Sequence, residues 1–113
     1  MNAFRDNFTY LFPFEEIERN SRIVLYGAGN VGKTYYNQLK MINYPVEIIW
    51  VDKNYKNLKS SDMNVTDPNI IFEEKADKII IAIENESMAS EVINYLKNKG
   101  IPENNIVWKI YKI

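Results

Sequence analysis

The feature that most constrains this chain is the stretch Arg22 to Thr34, which reads Arg-Ile-Val-Leu-Tyr-Gly-Ala-Gly-Asn-Val-Gly-Lys-Thr. Four apolar residues, 23–26, run directly into three glycines at positions 27, 29 and 32, and a helical periodicity starts at Asn30. An apolar run of that kind predicts a strand buried on both faces, as in a parallel sheet. Each glycine then has a physical task. Gly27 permits a tight turn out of the strand, Gly29 lets a pyrophosphate approach the backbone, and Gly32 lets the helix lie close to the strand. With Ala28, Asn30 and Val31 these residues form the candidate cradle, and the helix behind them offers free N–H groups and a partial positive charge to phosphate.

The same residues fit a second pattern: Gly27, four residues, then Gly32-Lys33-Thr34. In a phosphate-binding loop of that type Lys33 would meet the β- and γ-phosphates and Thr34 would bind magnesium. Two features decide against it. The chain is shorter than an NTPase of that class usually needs, and Asp52 follows 25 residues after Gly27, at the end of the next predicted strand. That is where the ribose-binding acid of a dinucleotide fold belongs. Its carboxylate would accept from two ribose hydroxyls and repel a 2′-phosphate, which favours NAD, another adenosine ligand or a nucleotide sugar over NADP. Asp52 also has a plainer reading, as a strand-end acid opening the turn Asp52-Lys53-Asn54. In the dinucleotide reading Lys33 points outward from the helix.

Along the rest of the chain, apolar strands alternate with amphipathic helices. Val31, Tyr35, Leu39 and Ile42 mark the first helix by their three- and four-residue steps. Residues 46–51 form the next strand, residues 53–62 a polar loop, residues 63–66 a short strand, and 72–76 one helical turn. A strand over 79–83 follows, then a helix over 86–99 with Met88, Val92, Tyr95 and Leu96 on its apolar face and Gly100 at its stop. A strand over 106–110 ends the pattern. This predicts an α/β fold, a Rossmann-like three-layer sandwich on a parallel sheet of about five strands. Counting 23–26 as the first strand, the expected order is 3-2-1-4-5. The ligand crevice then opens at the carboxyl ends of strands one and four. Glu84 and Asn85, at the end of the fourth strand, face that crevice and are candidates for the second half of a ligand. Asn85 or Ser87 equally suits the cap of the following helix.

Residues 1–21 read as an N-terminal segment packed on a 22–113 nucleotide-binding domain. Phe8, Tyr10, Phe12 and Phe14 alternate as on one face of an extended segment, and 14–20 reads as a short helix behind Pro13. The aromatic row predicts packing on the sheet edge, or an interface to a second copy or a catalytic domain.

Composition removes several classes of chemistry. The chain has no cysteine and no histidine, which excludes disulfides, thiolate metal sites and the commonest general base. Its net charge of −1 gives no electrostatic case for nucleic acid. No run reaches the length of a membrane span and no signal-peptide core stands at the start, so the expected location is cytoplasmic. Tyr-x-x-x-Lys pairs occur at Tyr36/Lys40, Tyr55/Lys59 and Tyr95/Lys99. The first lies on the helix after the glycine turn, the second in a loop and the third on a core face, so none suits proton transfer. Glu15/Glu16 and Glu73/Glu74 diverge as neighbours must, and Trp50 and Trp108 read as core or pocket walls. No catalytic residue and no metal site emerges.

Phe12-Pro13-Phe14-Glu15-Glu16-Ile17, the run from Ile23 to Lys33, Trp50-Val51-Asp52-Lys53 and residues 79–83 together resemble a small Rossmann-type domain. The chain is similar over about 12–110 to domains attached to bacterial surface-polysaccharide enzymes: glycosyltransferases, phosphotransferases and sugar methyl- and acetyltransferases. The resemblance implies an accessory module that binds NAD or a nucleotide sugar through Gly27, Gly29, Gly32 and Asp52, with catalysis in another domain. The alternatives are a fragment of an NAD-dependent oxidoreductase or epimerase, and a structural or dimerisation domain that has lost its ligand.

Overall fold

The computed structural model describes residues 10–58 and 63–112. Phe8, Lys59 and most of the 1–21 segment's first half lie outside them. In chain order the elements are β1 (Tyr10–Leu11), a 3₁₀ turn at Phe14–Glu16, β2 (Arg22–Tyr26), α1 (Asn30–Met41), β3 (Glu47–Val51), α2 (Tyr55–Leu58) and β4 (Val65–Thr66). A second 3₁₀ turn at Pro68–Phe72, β5 (Lys78–Ile81), α3 (Glu86–Asn98), a third 3₁₀ turn at Glu103–Asn105, β6 (Ile106–Val107) and β7 (Tyr111–Lys112) complete the order.

The main sheet is five-stranded and parallel, in the order β4-β3-β2-β5-β6. This differs from the 3-2-1-4-5 written from the sequence. A strand, β1, precedes the glycine-turn strand and stands outside the sheet, where it pairs antiparallel with β7. Every sheet strand therefore carries a number one higher, and Tyr10–Leu11 and Tyr111–Lys112 form a second, two-stranded sheet.

The apolar runs explain why β2, β3 and β5 lie inside. Alternate residues of a strand face opposite sides, and both sides are covered here. Ile23, Leu25, Trp50 and Ile80 pack with Val31, Tyr35 and Leu39 of α1. Val24, Tyr26, Val51, Ile79 and Ile81 pack with Ala89, Val92 and Leu96 of α3 and with Ile71.

Several local expectations are corrected. The helix predicted over 14–20 is the single turn Phe14–Glu16, after which Ile17 is extended. The helical turn predicted at 72–76 falls earlier, at Pro68–Phe72, because Asp67 caps it by accepting from the Asn69 N–H and Pro68 suits its first position. The strand predicted over 106–110 is only Ile106–Val107, and the separate strand β7 that follows at Tyr111–Lys112 belongs to the second sheet. The loop at 53–62 contains α2. Met88 and Tyr95, placed on the apolar face of α3, are exposed, and Ala89 is buried in their stead.

The described part of the aromatic row is covered from within the chain. Phe12 is fully buried, edge-on to Tyr35 at 5.3 Å, and half-buried Phe14 meets Tyr44 at 5.3 Å. Buried Gln38 of α1 fixes this segment: its Oε1 accepts from the Phe12 N–H at 3.0 Å and its amide donates to the Tyr10 carbonyl. Among the described residues no helix is long and apolar enough to cross a membrane.

Candidate functional site

Parallel strands deliver their carboxyl ends to one edge, and the connections there build the site. Between the loops after β2, β3 and β5 lies a crevice of about 480 Å³. Gly27, Gly29, Asn30 and Val31 form one wall, Asp52 and Lys53 stand at the side, and Ile83, Glu84 and Asn85 form the opposite wall with Tyr10. Seven of the nine sequence candidates thus meet in one place. The other two, Ala28 and Gly32, sit behind the wall.

The glycine turn is held from behind. Gly27 adopts φ +119°, a conformation L side chains rarely take, and a Cβ there would come within 2.7 Å of the Ala82 carbonyl oxygen. At Gly32 a Cβ would fall 2.0 Å from the Gly27 carbonyl oxygen, so the helix can approach the turn only without a side chain. That carbonyl also accepts from Trp50 Nε1–H at 2.7 Å in the buried interior, and the Trp50 ring stacks on Tyr36 at 4.5 Å. Trp50 is a core residue that clamps the turn. Gly29 differs from the other two. A Cβ added there would meet no protein atom within 4 Å, and the residue lines the crevice. Gly29 is also the N-cap of α1 and supplies no side-chain cap, so the first helical N–H groups have no side-chain acceptor.

Asp52 accepts from the Ala28 N–H at 2.7 Å through Oδ2 and from the Asn54 N–H at 2.7 Å through Oδ1. The carboxylate therefore ties β3 to the glycine turn and also forms the strand-end turn of the plainer reading. Each oxygen keeps a further lone pair. Lys33 and Thr34 do not reach the crevice. Lys33 borders a separate hollow shared with Tyr36, Trp50 and Met63, and Thr34 is buried.

The opposite wall draws on the paired strands β1 and β7. Glu84 accepts from the Tyr10 hydroxyl of β1 and pairs with Lys112 Nζ of β7 at 2.8 Å. The bond to Lys112 and then the bond from Tyr10 hold the Glu84 carboxyl below its usual range, while the Tyr10 phenol is pushed up by the same contact. Asn85 caps α3, its Oδ1 accepting from the Met88 N–H at 3.0 Å. Trp108 Nε1–H donates to the Ile83 carbonyl at 2.8 Å and steadies this loop. Tyr26, at the floor, has its phenol pushed up chiefly by burial and next by Asp52, so it stays neutral. Sequence reasoning missed Tyr10 and Lys112 as parts of this wall. Only the aromatic alternation hinted at Tyr10, and nothing in the sequence singled out Lys112.

Residues 19–107 match the family model described as C2185-like, N-terminal, and the chain belongs to that family. No curated protein and no solved structure matches the chain.

Proposed function

For this member of the C2185-like, N-terminal family we propose a Rossmann-like module that binds a nucleotide-containing ligand, NAD or a nucleotide sugar, and leaves catalysis to another domain. The observation that carries this reading is Gly29. The protein's own packing leaves space for a side chain there, while the residue fronts a crevice at a helix N-terminus whose N–H groups carry no side-chain cap. A diphosphate fits that space because the helix offers both donors and favourable partial charge. Asp52 adds acceptors for a ribose beside it, and the Glu84–Asn85 wall bounds the ligand's far half. The resemblance to accessory domains of bacterial surface-polysaccharide enzymes extends the proposal to that setting in the cell.

Thermal unfolding with NAD, UDP-sugars and CDP-compounds tests the reading. A ligand at 100 times its Kd stabilises the fold by about 2.7 kcal/mol. Gly29→Ala should lower the ligand-free melting temperature only by the cost of alanine at an N-cap, about 1 kcal/mol, and lose most of the ligand's stabilisation. Absence of stabilisation of the wild type by every compound overturns the proposal.

A further inference from the structure

A second cavity, of about 340 Å³, adjoins the crevice, and the two share Tyr26, Lys53, Glu91 and Val92. Resting on the nucleotide-binding reading above, we propose that this cavity is the base compartment. We further propose that Asp67 makes it selective for a base with an exocyclic amine, adenine, cytosine or guanine, over uracil.

Position is the first argument. β3 and β4 are neighbours, and the Asp52 N–H donates to the Thr66 carbonyl at 3.3 Å. Asp52 directly follows β3 and Asp67 directly follows β4, so the two acids occupy adjacent strand ends, roughly 5 Å apart in the pairing direction. Asp52 lines the first cavity and Asp67 the second. A nucleoside whose ribose meets Asp52 therefore sends its base toward Asp67.

The walls are the second argument. Tyr26, Tyr55, Tyr95 and Pro68 face this cavity. Tyr95 is 46% exposed, with Phe72 at 6.2 Å in an edge-to-face arrangement and Lys99 Nζ 5.8 Å from its ring centroid, and it presents its remaining aromatic surface to this cavity. Flat aromatic walls suit a flat base, and stacking by itself accepts any base.

Asp67 supplies the discrimination. Its Oδ1 accepts from the Asn69 N–H at 3.0 Å, and the Tyr55 hydroxyl also bonds to the carboxylate. Those contacts orient the group, and a carboxylate with about four lone-pair positions keeps room for another donor. It can accept but not donate. Adenine and cytosine offer an amine, and guanine offers an amine beside a ring N–H. Uracil offers one N–H flanked by two carbonyls, whose oxygens the carboxylate repels.

Calorimetric titration of the full chain with ADP, CDP, GDP, UDP and inorganic pyrophosphate tests this. At least one of ADP, CDP and GDP should bind tenfold or more tighter than UDP, and tighter than pyrophosphate. Asp67→Asn keeps an acceptor for the Asn69 N–H and presents an amide N–H₂, so it should shrink the gap to UDP by roughly tenfold. Exposed Tyr95→Leu should weaken the preferred nucleotide several-fold and leave pyrophosphate unchanged. The wild-type ranking decides alone if Asp67→Asn folds poorly. UDP binding as tightly as the others overturns the base selectivity while leaving the nucleotide site intact. No binding by any nucleotide or by pyrophosphate overturns both.

Discussion

Asp52, tied to the glycine wall of the crevice, and Glu84, on the opposite wall, are both carboxylates engaged by the protein itself, but in different ways. Asp52 accepts from two backbone N–H groups, those of Ala28 and Asn54. Glu84 holds two side chains from the paired strands β1 and β7, Tyr10 and Lys112. The Asp52 wall is built from consecutive pieces of one β-α-β unit. Its parts are fixed by backbone geometry and buried packing, through Gly27, Gly32 and Trp50. The Glu84 wall depends on one part-buried and one exposed polar contact between elements far apart in sequence. The first wall should behave as part of the core, and the second as an attachment to it.

The largest test of that contrast is at Gly32. A Cβ there would lie 2.0 Å from the Gly27 carbonyl oxygen and 2.7 Å from its carbon, both backbone atoms that cannot swing away. Gly32→Ala should cost about 3 kcal/mol or more, the upper range of overpacking. That is a large share of the stability of a domain this size. Urea denaturation reads it directly. A loss below about 1 kcal/mol would mean that the glycine wall yields, and the contrast between the walls would fail.

A smaller effect is expected at Asp52. Removing its carboxylate in Asp52→Ala strands the N–H of buried Ala28 and frees that of Asn54. An unsatisfied buried donor costs about 1–3 kcal/mol, so the midpoint in urea should fall measurably. Asp52→Asn keeps one acceptor oxygen and should lose about half as much. If that variant keeps most of its stability and loses nucleotide affinity, the carboxylate serves the ligand in addition to the turn. Equal loss in both variants with affinity unchanged would confine Asp52 to the fold.

The same contrast explains what the sequence disclosed. Four-residue apolar runs, glycines at fixed spacing and an acid at the next strand end are local patterns, because the backbone constraints behind them are local. They announce β2, the turn, α1 and the acid that follows β3. Glu84 was visible as a strand-end acid, but its partners were not, since Tyr10 and Lys112 lie far from it in sequence and only β1–β7 pairing brings them there. Gln38 was overlooked because a glutamine between Tyr35 and Leu39 looks like a helix's polar side until the N-terminal segment supplies the backbone groups it satisfies. On α3 the period was right and the edges of the stripe were not. Met88 and Tyr95 flank Ala89, Val92 and Leu96, and an apolar side chain at the margin of a face carries no sign of whether a neighbour covers it.

The smallest effect is expected from acid, at the Glu84 wall. The Glu84 carboxyl is held below its ordinary 4.5 by Lys112 and Tyr10, and that of Glu15 by the Tyr111 hydroxyl. A carboxylate with a depressed pKa in the fold contributes stability that is present above the unfolded value and lost as pH falls through the folded one. The attachment of β1 and β7 should therefore be constant from about pH 8 to 5 and weaken below pH 4.5. Because these carboxyls are exposed, the change in global stability is small, and the local readout is hydrogen exchange at the paired strands Tyr10–Leu11 and Tyr111–Lys112. The Gly27 N–H, bonded to the Val51 carbonyl at 2.8 Å, serves as the internal reference, since neither group titrates. Glu84→Gln should speed exchange of the terminal strands at neutral pH and leave only the Glu15 part of the acid response. If the terminal strands and Gly27 respond to acid in parallel, the two walls belong to one cooperative unit, and the Glu84 wall is core after all.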